Sequence, residues 1–534
     1  MSYRKGNLSR RHGVGWVMAL APDRVCVVVG RTRHKMMQAE LQEAVKRGGK
    51  FLEVRLDFIA KAVDFTRLAP FKGCPWMATF RRPADGGRWS GTEAQRQILM
   101  RQAIVCGQFD WIDVEMDVAA TVRRFGTVKR VVSYHNMKET PADLDGIYDE
   151  MTELDGDVFK IAVMANSVAD NLAVLDIMRR ATKPTVAFCM GELGFPTRFL
   201  ALKAGAPWIY AAFNKDRGVA PGLPSVSELR TTYPVRMIDA DTKVFGLLGD
   251  PVGHSFSPVL HNHTFGRMKQ NAIYLPFRVP KDQFEDGVRT FVGVPVSGYS
   301  VTIPHKEAAA ALASSAEPNV TKSGAANTLI RQEDGSFFAA NTDFTAAVDS
   351  LKAHMAERST GGPLLTLSGQ FVLILGAGGV ARAIAHGLHK EGAAVTIASR
   401  GFERATALAA EVGCKVVDWH ARHAVLPCDI VVNCTPVGMT PNTDESPVHV
   451  SFLKPGLSVF DTVYTPENTL LVREARERGC LILTGVDLFV RQAAKQFELF
   501  TGITPDLGQM RDLLRKAMSP LTKALDAPDD GAAE

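Results

Sequence analysis

Between residues 25 and 213 short apolar runs return at regular intervals, each followed by a stretch of helical period. The runs are VCVVV (25–29), FLEVRL (51–56), WMATF (76–80), WIDVEM (111–116), RVVSYH (130–135), VFKIAV (158–163), TVAFCM (185–190) and WIYAAF (208–213). Stretches such as HKMMQAELQEAVKRGG (34–49) and TEAQRQILMRQAIVCG (92–107) lie between them. Strands apolar on both faces that alternate with helices predict a parallel sheet covered by helices. Eight such units in this span predict a (β/α)8 barrel rather than an open sheet. After a polar stretch, Thr231–Lys243, the pattern changes, which predicts a domain boundary near residue 240. FVLILGAGGVARAIAHGL (371–388) then reads as a strand, a glycine turn and a helix, the arrangement that opens a dinucleotide fold.

The polar residues inside the apolar runs carry the chemistry. Glu53, Arg55, Arg81, Asp113, Glu115, His135, Lys160 and Arg198 interrupt or follow the strands. In a barrel the C-terminal ends of the strands converge on one mouth, so these groups are expected together. For each carboxylate or arginine an ordinary ion pair is the alternative. Lys160 sits within VFKIAV, where burial favours a neutral, nucleophilic amine. With an imidazole one strand away, it suits Schiff-base chemistry on a ketone. In the second half Gly376, Gly378 and Gly379 allow a tight turn and close approach of backbone to a pyrophosphate. The strand AVTIASR ends in Ser399 and Arg400, with Arg404 four residues on, where an NAD site wants a carboxylate. Two arginines there suit the 2′-phosphate of NADP.

Composition narrows the class. The chain has 534 residues, 62 basic and 57 acidic, with a net charge of +5 and no basic cluster interleaved with aromatics, so no nucleic-acid partner is expected. No apolar run approaches the roughly 20 residues of a membrane span. Eight scattered cysteines without a C-x-x-C predict a reducing, cytoplasmic compartment and no metal site. Residues 1–22 read as a flexible leader. A basic stretch followed by GVGWVMALA there superficially resembles a signal peptide, and Met18 is a candidate start. Residues 519–534 read as a disordered tail.

Five motifs of the first half resemble type I 3-dehydroquinate dehydratase over about residues 23–235. They are E-x-R-L-D (Glu53–Asp57), Thr79 and Arg81 followed by Gly86 and Gly87, S-Y-H (Ser133–His135), K-I-A-V-M (Lys160–Met164) and A-P-G (Ala220–Gly222). The resemblance implies Lys160 as the Schiff-base lysine and His135 as general acid and base. It implies Glu53, Arg55, Arg81 and Arg198 as substrate-binding groups, Arg198 being the carboxylate clamp. Asp85 stands where the family has a glutamate that supports the histidine. Val219 and Leu223 replace the polar residues that flank A-P-G, which removes two hydrogen bonds to substrate.

H-S-F-S-P (254–258), S-V-T-I-P-H-K-E (300–307), G-A-A-N-T (324–328), A-N-T-D (340–343), N-C-T-P-V-G-M (433–439), D-T-V-Y-T-P (461–466) and Q-A-A-K-Q-F-E-L (492–499) resemble shikimate dehydrogenase over residues 243–515. Ser300 and Leu488 are mild departures, and the motifs are similar to the plant-type fused enzyme. The resemblance implies a split substrate domain (243–343 with helices 486–518) around an NADP-binding, Rossmann-like domain (344–485). It assigns Ser255, Ser257, Thr302, Asn327, Tyr464 and Gln492 to substrate and makes Lys306 and Asp343 the catalytic pair. Gly376, Ala377, Gly378, Gly379, Val380, Ser399, Arg400, Arg404, Thr435, Met439 and Gly485 fall to the cofactor. The expected function is dehydration of 3-dehydroquinate to 3-dehydroshikimate, then NADPH-dependent reduction to shikimate. The alternatives are a quinate/shikimate dehydrogenase with a vestigial barrel, and a regulatory protein built on both folds.

Overall fold

The computed structural model describes residues 21–215, 219–253, 255–294, 296–358 and 366–519. The predicted leader up to residue 20, the tail from residue 520 and His254 lie outside the described residues. All eight predicted runs are strands: β1 (Val25–Val29), β2 (Leu52–Arg55), β3 (Trp76–Thr79), β4 (Trp111–Glu115), β5 (Lys129–Asn136), β6 (Val158–Met164), β7 (Thr185–Met190) and β8 (Ile209–Ala212). Their ladders are parallel and run in the order β8, β1, β2, β3, β4, β5, β6, β7. The hydrogen-bonded ring of this α/β barrel is therefore open between β7 and β8. β8 has only four residues, and the seam is bridged by rings, with the centroids of Phe188 and Tyr210 6.3 Å apart.

Because strand side chains alternate in direction, Glu53 and Arg55, Asp113 and Glu115, and Ser133 and His135 fall in pairs on single faces. Across the ladders Glu115 neighbours Ser133, and Ser133 neighbours Lys160. Near the N-terminal ends of the strands an aromatic plug fills the barrel. Phe51, Trp111 and Trp208 are fully buried, with centroids 5.3–5.9 Å apart and mostly edge-on contacts. One end of the barrel is thus apolar and packed, and the other carries the charge.

The remaining strands are β9 (Lys243–Gly249), β10 (Ala272–Arg278), β11 (Val296–Val301), β12 (Ser315–Ala316), β13 (Thr328–Arg331), β14 (Phe337–Ala340), β15 (Phe371–Leu375), β16 (Ala394–Ser399), β17 (Lys415–Asp418), β18 (Ile430–Asn433), β19 (Ser458–Asp461) and β20 (Leu481–Leu483). The described residues form two compact units. Those up to Val244, with the segment starting at Lys269 that carries β10, make the first; Phe245–Met268 and the chain from Val296 onward make the second. In the first unit Arg278 pairs with Glu192 at 2.7 Å, and Gln283 Oε1 accepts from the Val168 N–H at 3.1 Å.

In the second unit β9, β11, β13, β14 and β12 lie side by side in that order. A separate, fully parallel sheet runs β17, β16, β15, β18, β19, β20. That is the doubly wound order, in which strand succession reverses between β15 and β18, and ligands bind outside the carboxyl ends at that switch. Residues of β15 alternate between two cores. Val372 and Ile374 pack with Ile384, Ile397 and Leu408, while Leu373 and Leu375 pack with Val431, Val459 and Leu471. Burial on both faces explains why this strand reads as one continuous apolar run.

The aromatic plug should carry much of the barrel's stability. Trp208→Ala is expected to cost about 3–5 kcal/mol, seen as a lower urea midpoint for loss of the barrel's structure. An unchanged midpoint would show that the plug can collapse around the missing ring.

Candidate active sites

The mouth of the barrel is a cleft of about 490 Å³, open to solvent. Of the barrel groups expected there from the sequence, Glu53, Arg55, Arg81, His135, Lys160 and Arg198 line it, together with Asp85, whereas Asp113 and Glu115 do not. Its walls are apolar, with Met137, Phe188, Met190, Val219 and Leu223 among them.

Lys160 is buried as expected, but its Nζ has a carboxylate partner, Asp113 Oδ2 at 3.3 Å, and lies 4.1 Å from the centre of the Tyr210 ring. Asp113 also receives Arg81 Nη2 at 2.6 Å and the Ser133 hydroxyl at 2.6 Å. Burial alone would raise Asp113, but the charges of Arg81 and Lys160 outweigh it and hold this carboxyl well below its usual range. Arg81 continues to Glu115 at 2.9 Å, and Glu115 to the fully buried Arg96 at 2.5 Å. His135 is pressed well below its ordinary value by burial and by the nearby charges of Arg81 and Lys160. Its Nδ1 is buried without a hydrogen-bond partner.

Arg198, on the helix Gly191–Lys203, stands apart. No carboxylate pairs with it among the described residues, its Nε has no hydrogen-bond partner, and burial pulls it down to about 9. Its Nη2 donates to the Pro221 carbonyl at 3.1 Å, and its guanidinium lies 4.2 Å from the centre of the Phe188 ring. A buried guanidinium without a counter-ion is a receptor for an anion.

One expectation needs correction. Asp85 does not reach His135: its Oδ2 accepts from Arg82 Nε at 2.7 Å. Pro83–Asp85 form a 3-10 turn, in which residues three apart eclipse, so the short carboxylate lies over Arg82. Arg55 lines the cleft, but one edge of its fork is taken by Asp57 through two 2.8 Å bonds. Asp57 in turn accepts the Arg88 N–H at 2.9 Å, anchoring the loop that carries Asp85.

In the second unit, backbone bonds join the segments that carry Thr302, Lys306 and Asn327. Asp250 N–H donates to the Ile303 carbonyl, His305 N–H to Thr302, Ala326 N–H to Lys306 and Val301 N–H to Asn327, at 2.7–3.0 Å. Lys306 Nζ meets Asp343 Oδ2 at 2.6 Å. The hydroxyls of Ser255 and Ser257 are 3.2 Å apart. Asn327 bonds Thr342 through side chain and backbone. Gln492 and Gln496 share a face of the helix Gly485–Thr501. Gln496 accepts from Ser300 at 2.8 Å and donates to the Asn327 carbonyl at 3.1 Å. Tyr464 packs on Phe489 of the same helix with centroids 4.9 Å apart.

At the switch point Gly376 has a φ of +111°, and Gly378 precedes the helix Gly379–Lys390. A Cβ at Gly378 or Gly379 would meet nothing within 4 Å, so the turn is open on that side. Arg400 and Arg404 are exposed, without ion pairs among the described residues, just beyond β16. A helix N-terminus behind an open glycine turn, with two exposed guanidiniums nearby, fits a phosphorylated dinucleotide. Ser399 ends β16, Thr435 and Met439 lie in the loop after β18, and Gly485 opens its helix against Val463.

Residues 25–240 match the family model for type I 3-dehydroquinase, and residues 247–329 that for the shikimate dehydrogenase substrate binding domain. Residues 371–451 match NADP oxidoreductase coenzyme F420-dependent, and 485–515 the shikimate 5'-dehydrogenase C-terminal domain. The chain is 35% identical over 505 residues to the bifunctional 3-dehydroquinate dehydratase/shikimate dehydrogenase, chloroplastic, of Arabidopsis thaliana, covering 90% of this chain and 82% of the relative. The chain belongs to that bifunctional family. Its second half is also 34% identical to the shikimate dehydrogenase (NADP(+)) of Shouchella clausii (51% of this chain, 98% of the relative). It is 36% identical to that of Methanosarcina mazei (52% and 99%). The chain is accordingly a lyase in its first half and an NADP-dependent oxidoreductase in its second. No helix among the described residues is long and apolar enough to cross a membrane.

Sequence reasoning noted Asp113 and Glu115 without giving them a role, and missed Arg96, Phe188 and Tyr210. The signal was the spacing of Asp113 and Glu115, two apart on one strand, with Arg81 on the strand before. The depressed His135 has a kinetic consequence. A neutral imidazole should persist to well below pH 6.5, so dehydratase kcat/KM should stay level from pH 8 to 6 and fall only in more acid solution. Asp85→Ala should leave that acid limb in place. A limb at or above pH 6.5, or one that moves in Asp85→Ala, would reinstate Asp85 as the partner of His135.

Proposed function

We propose that the barrel dehydrates 3-dehydroquinate through an imine on Lys160. The observation that supports this most directly is that Lys160, His135 and the unpaired Arg198 share one cleft. Arg198 takes the substrate carboxylate, and Arg81, Arg55 and Glu53 hold its ring. The Lys160 ammonium, paired with Asp113, first hands a proton to His135; its neutral Nζ then attacks the ketone, and the carbinolamine oxygen leaves as water, taking one proton from the nitrogen and one back from His135, so that an iminium remains. His135, neutral at pH 7, removes the α-proton, and the electron pair moves into the iminium to form an enamine. The enamine expels the β-hydroxyl, which departs as water with the proton returned by His135. A second water hydrolyses the conjugated iminium, releasing 3-dehydroshikimate and the free amine. A vestigial barrel is not favoured, since the groups this sequence needs are assembled.

The second site, formed by residues 243–343 and the helices 486–518 around a cofactor domain spanning 344–485, reduces that product to shikimate. Ser255 and Ser257 offer hydroxyl donors to the carboxylate, and Thr302, Asn327 and Gln492 engage the ring hydroxyls, with Tyr464 alongside. Lys306 delivers the proton to the ketone oxygen, and Asp343 holds the amine in place. The turn Gly376–Val380 and its helix would take the pyrophosphate, and Arg400 and Arg404 the 2′-phosphate. Ser399, Thr435, Met439 and Gly485 would line the remainder. When bound, NADPH supplies the hydride. The chain works in a reducing compartment, which we assign to the cytoplasm; all eight cysteines are free, and the Arabidopsis relative is named as chloroplastic.

Borohydride added with 3-dehydroquinate is expected to fix a ligand-sized mass on the peptide carrying Lys160. Labelling elsewhere, or none in active enzyme, would rule out the imine there. For the reductase, kcat/KM should favour NADP over NAD by at least about tenfold, or roughly 1.4 kcal/mol. Arg400→Ala with Arg404→Ala should abolish that preference while sparing NAD. Equal losses for both cofactors would make the arginines structural.

A further inference from the structure

The dinucleotide sheet contains a carboxylate to which the reaction above gives no part. Asp461, the last residue of β19, has no exposed surface. Its Oδ1 accepts from Asn433 Nδ2 at 3.0 Å and from the Val463 N–H at 3.1 Å, and its Oδ2 from the Thr469 hydroxyl at 2.6 Å. Burial pushes it up to about 6 against these three donors, and no charged group offsets that burial. The fold therefore keeps a carboxylate where an apolar residue would cost less.

What the carboxylate does follows from donor and acceptor chemistry. Ionised, Asp461 can only accept, so Asn433 must turn its Nδ2 toward it. That leaves Asn433 Oδ1 facing the other way, where it accepts the Thr435 N–H at 3.0 Å and the Thr435 hydroxyl at 2.6 Å. Asn433 Nδ2 also reaches the Val437 carbonyl at 3.3 Å. The orientation of one amide thus sets the loop Cys434–Met439. The glycine turn leans on the same loop: a Cβ on Gly376 would come within 3.0 Å of the Cys434 carbonyl and 3.3 Å of Thr435 Cγ2. Thr469 closes the circuit. It caps the helix Leu470–Glu477 through the Val472 N–H, and its Cβ lies 3.4 Å from where Gly438 would carry one.

We propose that Asp461 is a positioning residue for NADP, acting through the amide of Asn433 on the loop Cys434–Met439. The inference rests on reading that loop as part of the cofactor site. The full-length chain tests it through NADPH affinity, measured by fluorescence titration, alongside KM for NADPH and for shikimate and the melting temperature. Asp461→Asn keeps one acceptor and turns the other into a donor, so either the Thr469 hydroxyl or the pair Asn433 Nδ2 and Val463 N–H loses its acceptor in each orientation of the amide, and NADPH should weaken by about tenfold or more. Shikimate KM should stay within about twofold. Thr469→Val, which keeps shape and removes one donor, should shift NADPH affinity in the same direction, and serves where Asp461→Asn does not fold. Parental NADPH affinity in Asp461→Asn, with Thr435→Val weakened, would overturn the relay alone. Unchanged affinity in Thr435→Val would overturn the reading of the loop and the relay together. Equal losses in both substrates with a lower melting temperature would reduce Asp461 to a structural role.

Discussion

Charge inside the barrel has to be paired, and that constraint organises the first site. Arg96, Glu115, Arg81, Asp113 and Lys160 form a continuous buried series of alternating sign, each link between 2.5 and 3.3 Å. Removing one member would strand a neighbour without water or partner, a penalty of several kcal/mol. The series therefore holds Lys160 at a fixed height above the aromatic plug. It also commits Asp113 and Glu115, and no carboxylate among the described residues pairs with Arg198, which remains a buried cation. Substrate binding and internal pairing are two parts of one electrostatic requirement.

The second site handles a lysine and an aspartate differently. Side chains of Lys306 and Asp343 keep 21% and 17% exposure, whereas those of Lys160 and Asp113 keep 6% and none. An amine that must lose its proton to substrate and regain one each cycle needs contact with water. A lysine that becomes covalently attached needs a defined direction and a desolvated surrounding. On the proposed mechanism, the degree of burial would separate a proton donor from a nucleophile although both pairs are lysine with aspartate.

Much of this architecture was legible in the chain. Strands buried on both faces reveal themselves as apolar runs, and a polar residue inside such a run marks the one place where burial was overridden. Lys160 and His135 stood out for that reason. The dinucleotide turn was legible because three glycines between a strand and a helix have few other uses. Choices made by side chains in space were not. Asp85 and Arg82 are three apart, but only the 3-10 turn brings them together. Asn433 and Asp461 are 28 positions apart, and only the pairing of β18 with β19 makes them neighbours. The opening between β7 and β8 was hidden likewise, since the shortness of β8 appears only once its ladder with β1 is known.

The apolar side of the barrel cleft leads to a last point. Val219 and Leu223 line it, and Asp85 is committed to Arg82. The wall beside the A-P-G turn therefore offers substrate no side-chain hydrogen bond, and orientation must come from the charged groups facing it. Gly222 keeps the wall close: its φ is +66°, and a Cβ there would come within 2.5 Å of the Gly191 carbonyl. That carbonyl belongs to the first turn of the helix that carries Arg198, and Arg198 itself donates to Pro221. The turn and Arg198 are thus one mechanical element, so if Arg198 takes the substrate carboxylate as proposed, its placement would also fix where the apolar wall meets the ring. On the proposed mechanism, with fewer hydrogen bonds to share the task, the geometry of Arg198 would have more influence on how squarely the ketone meets Lys160, since near-attack alignment is sensitive to errors of about 1 Å.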